Sequence, residues 1–405
     1  MRRLAALYLL LCPLFVWGQM WDRLATTAYR VDSSKVRQLD IEADILTFFR
    51  DNEYSSKLTR GYSLPGLLLQ PKLTYAPLKN IWLEVGAHAL IFNGANRYPC
   101  YVYHDIATWK GNQYQRGAHV LPWVRAQAQF EYLTIVLGDI YGGQNHRLVE
   151  PLFNPETNLS QDPEMGFQLL WDRPHLHVDT WMNWQSYIFE EDSHQEAFTV
   201  GSNWHVLYGD QDSPLRFSTP IQLLFHHRGG EQDTTQLGVQ TVCNAAVGVQ
   251  MDWMTNRMTL TGVSAEFNTL ACYQQSGKLW PFNTGLAFQA AATVNLWNKL
   301  MLKGGYFHAP RHFVSLYGSP FFSTVSIRAG ESFQGIGTAY VRADYHHTFA
   351  RNYVLGAGVE AGQSWLGKSL TRKSSQEFNF SFGIYLRACP SFMLKQFKKL
   401  RNKNL

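Results

Sequence analysis

Apolar and polar residues alternate one by one through much of the chain, most clearly between residues 335 and 363. On the first limb, small or apolar residues at odd positions 339–345 alternate with Tyr340, Arg342, Asp344 and His346. After the polar break HHTFARN the alternation resumes from Tyr353. Because successive side chains of a strand point to opposite faces, each limb is predicted to be a β-strand with one apolar face. Alternation alone fits both a soluble β-sandwich and a membrane β-barrel.

The spacing of the breaks between such segments favours the barrel. Seven short breaks lie near 77–80, 131–133, 172–175, 209–213, 253–256, 297–299 and 347–352. Eight longer ones lie near 51–61, 93–118, 142–163, 188–195, 228–236, 273–282, 310–334 and 364–376. This asymmetry predicts an all-β, antiparallel, up-and-down transmembrane barrel of about sixteen strands, with short periplasmic turns and long extracellular loops.

Composition agrees with that fold class. Charged residues make up only 17% of the 405 residues, against about 25% in typical soluble domains. Mean hydropathy is −0.23, and beyond the N-terminus no apolar run approaches the roughly 18 residues of a membrane helix. The net charge of +5 comes largely from lysines and arginines near the C-terminus. A nearly neutral barrel argues against nucleic acid as a partner.

The ends of the chain are expected to lie outside the barrel. Residues 1–18 have the basic start and apolar run of a secretory signal peptide. Residues 19–36 form a periplasmic lead-in, 37–388 the barrel, and 389–405 a basic periplasmic tail. In the tail, the spacing of Met393, Phe397 and Leu400 fits either a short amphipathic helix or a solvated terminus.

A barrel of this size leaves room for an aqueous lumen, and the polar strand faces predict which charges line it. These candidates are Asp40, Glu42, Asp44, Glu84, Arg125, Arg342, Asp344, Glu360 and Arg387. They form either a charged pathway that filters solutes or cross-strand ion pairs that stabilise a wet interior. In the first strand three like charges share one face, and closure of the barrel makes Arg387 a candidate to compensate them.

Aromatic residues crowd two of the long loops. The candidates for ligand binding there are Tyr101, Tyr103, Trp109, Phe313 and Tyr317. Such side chains suit sugar rings, fold inward as a constriction, or pack among themselves on the surface. The sequence has no catalytic motif and no metal-ligand spacing, so it predicts no enzyme, no cofactor and no metal.

The signal sequence, hairpin period and loop asymmetry resemble those of porin-like outer-membrane proteins of Gram-negative bacteria. The stretch LFNPETNLSQDPEMGFQLLWDRPHLHVDTWMNWQSYIF is similar to uncharacterised barrels of the Bacteroidota. The resemblance implies a cell outer-membrane location, contact with outer-membrane lipid and dependence on the barrel-assembly machinery. Two functions are expected: a channel for small solutes, or a lectin-like barrel that holds surface glycan through its extracellular loops.

Overall fold

The computed structural model describes residues 29–92, 118–189, 194–210, 212–230, 238–326, 330–350 and 352–398. Its strands are β1 (Gln38–Ser55), β2 (Arg60–Leu78), β3 (Ile81–Phe92), β4 (Ala118–Gln129), β5 (Leu133–Asp139), β6 (Met165–Arg173), β7 (Leu176–Ser186), β8 (Ala197–Tyr208), β9 (Leu215–Arg228), β10 (Gln240–Met254), β11 (Leu260–Ser276), β12 (Thr284–Leu296), β13 (Leu300–Ala309), β14 (Val325–Ser326), β15 (Glu331–Ser332), β16 (Ile336–Ala350), β17 (Tyr353–Leu366), β18 (Ser375–Ala388) and β19 (Ser391–Gln396). Among the described residues, no helix is long and apolar enough to cross a membrane.

The strands close into a single barrel. Each of β1 to β13 and β16 to β18 pairs with its neighbour in the chain, and β14 and β15 form a separate small hairpin. On its other edge β1 pairs with β18 over residues 45–54 and with β19 over residues 38–42. β18 and β19 therefore act as one wall strand interrupted at Cys389–Pro390. The predicted antiparallel barrel of sixteen strands is confirmed.

The alternation predicted from the sequence matches the two faces of the wall. Val247, Val249 and Val341 are 51%, 60% and 61% exposed on the outside. Asn244 and Arg342, at positions of the opposite parity on the same two strands, are 3% and 9% exposed and point inward. Because a slip of one residue would turn the charged set toward lipid, this register is strongly specified.

The main hydrophobic core lies inside the barrel, which was not predicted. Two connections turn into the interior: the first inner loop (residues 140–164) and the second inner loop (residues 310–326). They pack against inward-facing apolar residues of the wall, and the core includes Leu46, Phe48, Leu68, Leu90, Leu152, Phe153, Leu159, Phe307 and Phe313. The wall and the two loops thus bury a common apolar centre.

Both described chain ends contact the barrel. Near the start, Val31 N donates to Gln129 Oε1 at 2.5 Å, beside a short turn. Near the end, the tail continues the wall as β19 instead of forming a helix or a frayed terminus over Ser391–Gln396. The barrel therefore extends past the boundary predicted at residue 388, because the edge of β1 still offers backbone hydrogen bonds there.

Candidate functional site

The two inner loops contact each other in the barrel interior. Asn154 N donates to Tyr317 O at 2.7 Å, and Ser315 Oγ donates to Leu152 O at 3.2 Å. Phe153 and Tyr317 also form an isolated β-bridge. Backbone contacts of this kind make the loops one packed body that occupies much of the interior.

Glu150 anchors the first inner loop to the far wall. Its Oε1 accepts hydrogen bonds from Lys303 Nζ at 3.1 Å and from Arg342 Nη1 at 2.8 Å. Burial by itself would raise the pKa of Glu150, but Arg342 and Lys303 outweigh burial and lower the pKa to about 2. The loop is therefore held by a carboxylate that stays ionised between two cations.

Glu156 makes a second anchor, to strands β1 and β2. Its carboxylate accepts hydrogen bonds from Arg50 Nε and Tyr62 Oη, and from Asn52 Nδ2 at 3.0 Å. Glu156 lies in the 3₁₀ turn Pro155–Leu159, where Asn154 Oδ1 accepts from its backbone N–H at 3.2 Å. Local capping thus presents the Glu156 side chain to β1 and β2.

The acidic residues at the start of β1 are paired rather than unbalanced. Lys35 Nζ lies 2.9 Å from Asp40 Oδ2 and 3.3 Å from Glu42 Oε1. Asp44 Oδ1 lies 3.6 Å from Nε of Arg387, the residue named from barrel closure. These contacts favour ion pairs that stabilise the interior over an unpaired row of negative charge that filters solutes.

The other predicted lumen charges also lie on the inside of the wall. Glu84 Oε2 lies 3.2 Å from Lys72 Nζ and 3.4 Å from Arg125 Nη1. Arg342 Nη2 lies 2.6 Å from the carboxylate of Glu360. Asp344 is buried on the same strand as Arg342.

Several charged residues of this interior were missed by the sequence analysis, namely Lys35, Arg50, Lys72, Glu150 and Glu156. Glu150 and Glu156 belong to the first inner loop, whose sequence has no regular alternation of apolar and polar residues from which its path could be predicted. One signal was present in the sequence: the run ILTFF (residues 45–49) has adjacent apolar residues on each side of Thr47, as expected where both faces of a strand are covered.

The aromatic loop candidates divide into two groups. Tyr101, Tyr103 and Trp109 lie outside the described residues. Phe313 and Tyr317 lie inside the barrel, 0% and 8% exposed. For these two, inward folding is the alternative that the structure adopts, and their role in binding a ligand stays a prediction.

Three histidines contact carboxylates among the described residues, and the surroundings of two of them, His146 and His177, indicate a structural role. His146 is 1% exposed, with Nδ1 at 2.7 Å from Asp179 and Nε2 at 3.2 Å from Glu164. Burial opposes protonation of His146, yet the two carboxylates outweigh it and raise its pKa to about 9. His177 Nδ1 contacts Asp172 Oδ1 at 2.7 Å beside the short turn at residues 174–175.

The third pair lies on the side of the long loops. His119 Nε2 lies 2.7 Å from Asp162 Oδ1, and both side chains are partly exposed, 25% and 39%. His119 is the second residue of β4, and Asp162 precedes β6 by three residues. A carboxylate that orients an imidazole is the arrangement of a general base. Within the described ranges, no group of three or more metal-ligating side chains is present.

A family model matches residues 31–397, nearly the whole chain, and its description is lipid A 3'-O-deacylase-type. The chain belongs to the lipid A 3'-O-deacylase-type family. The expectation that the protein is not an enzyme is therefore wrong, because this is an enzyme family. A short sequence motif does not reveal a pair such as His119–Asp162, because the two residues are 43 positions apart in the chain and meet only through the fold.

Solved structures with a similar fold are outer-membrane barrels. OccAB2 of Acinetobacter baumannii has 11% identity and a TM-score of 0.52, covering 89% of this chain and 100% of that one. OpdK of Pseudomonas aeruginosa has 9% identity, 88% and 100% coverage and a TM-score of 0.49. Comparison with curated proteins gives no match. The porin-like barrel fold and the outer-membrane location are as predicted.

Proposed function

We propose that this protein is an outer-membrane ester hydrolase that removes an acyl chain from an acylated glycolipid of the lipid A type. Membership of the deacylase family over residues 31–397 carries the proposal. The packed interior supports it, because the first inner loop, anchored by Glu150 and Glu156, and the second inner loop packed against it restrict free passage along the barrel axis.

The His119–Asp162 pair is the best candidate for the general base. In this proposal, the imidazole takes a proton from water, whose oxygen attacks the ester carbonyl. The acyl–oxygen bond then breaks, the proton passes to the leaving alkoxide, and the products are a fatty acid and a free hydroxyl on the sugar. Asp162 would orient the ring.

His119 has the same parity on β4 as the inward-facing Trp123 and Arg125, so the pair lies on the inner side of the wall. The wall beside the pair is short, which would let lipid reach it. β5 has seven residues, whereas a transmembrane strand needs about 9–11. Pairing of β4 with β5 reaches no further than Arg125↔Gly138, so residues 118–124 of β4 lie beyond it. His119 is therefore on the long-loop side of the point where β5 ends, the side that faces the outer leaflet.

The test is deacylation by the purified full-length protein in vesicles that contain lipopolysaccharide. Mass spectrometry should show the loss of an acyl chain, with release of free fatty acid. His119→Ala should slow the reaction by roughly 10²–10⁴-fold, the usual contribution of a general base, and Asp162→Asn should slow it less. His177→Ala, which alters a pair at the periplasmic end, is the matched control.

Each result has a definite meaning, provided that every variant shows the heat-dependent gel mobility of a folded barrel. Loss of an acyl chain at equal rates in wild type and His119→Ala would place the base elsewhere. Release of no fatty acid by the wild type would contradict the hydrolase itself.

A solute channel is the second candidate, because a closed barrel of sixteen strands is wide enough to hold a water-filled pathway. Conductance of the same preparation in a planar bilayer tests it. Steady single-channel currents without deacylation would favour the channel over the hydrolase.

A further inference from the structure

A cavity of about 430 Å³ lies between the wall and the two inner loops. Residues 59–62 line its rim, Asn154 to Thr157 and Leu316 to Phe322 one side, and Arg342, Glu360 and Asn379 the wall. Arg60 and Gly61 are exposed at the β1–β2 connection, which belongs to the long-loop side. The cavity is therefore reached from the long-loop end of the barrel, and its volume lies in the range of ligand sites, roughly 300–1,000 Å³.

The charges that line this cavity compensate each other. Three arginines, Arg50, Arg60 and Arg342, stand against three glutamates, Glu150, Glu156 and Glu360, so the formal sum is zero. Most of them are also paired directly: Arg50 with Glu156, and Arg342 with both Glu150 and Glu360. A ligand of either charge would meet no excess of opposite charge, which favours a neutral, polar ligand.

Two polar atoms of the lining have no hydrogen-bond partner among the described residues. Asn379 is 5% exposed, yet its Nδ2 is unpaired. Glu150 Oε2 is also unpaired, although Oε1 is bound by two cations. Buried polar atoms are nearly always hydrogen-bonded. Both atoms are themselves covered by protein atoms, so a hydroxylated ligand would pair with them once the two side chains turn toward the cavity.

The position of Asn379 depends on its cross-strand neighbour Gly362. A Cβ on Gly362 would lie 2.4 Å from Asn379 Oδ1, closer than real Cβ contacts. The glycine therefore leaves space for the amide in its present orientation. Any larger residue at this position would have to displace the Asn379 side chain.

Aromatic rings supply the apolar part of the lining. Tyr54 packs edge-on against Phe321 with ring centroids 4.8 Å apart, and Phe322 lies 5.4 Å from Tyr340. All four rings line the cavity. An apolar aromatic wall with a few fixed polar groups is the usual construction of a small-molecule site, and it suits the CH faces of a sugar ring.

We propose that this cavity binds a neutral saccharide of one or two rings that enters from the extracellular side. On binding, the two side chains turn toward the cavity, so that Asn379 Nδ2 donates to a ligand oxygen and Glu150 Oε2 accepts from a ligand hydroxyl. The site is separate from the proposed hydrolytic one, because neither His119 nor Asp162 lines the cavity. It can therefore be present whether or not the protein is a hydrolase.

Saturation-transfer NMR and calorimetry on the full-length protein in detergent test the proposal. The probes are glucose, galactose, mannose, N-acetylglucosamine, maltose and lactose, with glucuronate and glucosamine as charged controls. At least one neutral sugar should bind more tightly than both charged ones. Asn379→Ala should weaken its binding by about tenfold or more, the equivalent of one hydrogen bond lost from a buried donor.

Gly362→Ala provides a second variant, which keeps the amide but displaces it, and it should weaken binding in the same way. Asn268→Ala, at a buried inward-facing asparagine of β11 outside the cavity, is the control and should leave binding unchanged. Failure of every neutral sugar to bind a folded barrel overturns the proposal. Tighter binding of a charged probe, or equal binding by wild type and Asn379→Ala, overturns it as well.

Discussion

Replacing Glu150 by glutamine should loosen the first inner loop, because this side chain connects the loop to two cations of the wall. Removing one member of a buried ion pair usually costs about 3–5 kcal/mol. Here each cation keeps another carboxylate: Lys303 lies 3.3 Å from Glu266, and Arg342 lies 2.6 Å from Glu360. We therefore expect a smaller loss, about 2–3 kcal/mol. That loss would raise the ratio of undocked to docked loop by roughly 30- to 150-fold.

Conductance in a planar bilayer measures this change directly. The wild-type barrel should show rare, small openings, and Glu150→Gln should open more often or more widely. Glu53→Gln is the matched control, because Glu53 is an exposed residue of β1 and does not contact the inner loops. Circular dichroism and heat-dependent gel mobility should show that both variants keep the barrel.

The pH dependence follows from the lowered pKa of Glu150. A carboxyl whose pKa falls from 4.5 to about 2 on folding stabilises the docked loop above pH 4.5. That contribution is lost as the pH falls from about 4.5 toward 2. Acid should therefore increase the conductance of the wild type and change that of Glu150→Gln much less. Equal conductance of the two proteins across this range would show that Glu150 does not help to hold the loop.

Three further results are expected. Val247→Arg should reduce assembly far more than Gln250→Arg, because a lipid-facing arginine near the midplane costs about 2–4 kcal/mol; equal folding yields would contradict the outward position of Val247. The pKa of His146 rises from 6.5 to about 9 on folding, so its contacts should stabilise the first inner loop fully below pH 6.5 and lose this effect as the pH rises through 9. The thermal stability of the wild type should therefore fall over this range, and that of His146→Gln should change less. If the barrel conducts, neutralising the three acids of β1, Asp40, Glu42 and Asp44, should change its ion selectivity little, because all three are paired. A large shift of the reversal potential in a salt gradient would show instead that these acids face open water.

The sequence by itself determined the wall of this protein. Each wall strand can be recognised from its own sequence, because alternation with a period of two puts Val341 on one face and Arg342 on the other without reference to any other strand. The same local rule gave the short turns, the long loops and hence the strand count. The pairing of Asp44 with Arg387 could also be inferred, since closure of a barrel brings its first and last strands together.

Only the tertiary structure decided what occupies the interior. A polar, aromatic loop has the same local sequence whether it covers the barrel or enters it, so Phe313 and Tyr317 could not be assigned to either place. The choice depends on partners far away in the chain, as Glu150 shows with Lys303 and Arg342, 153 and 192 residues distant. The His119–Asp162 pair and the unpaired Asn379 amide arise in the same way. Contacts of this range leave no periodic trace in the sequence, and they exist only once the wall has closed around the loops.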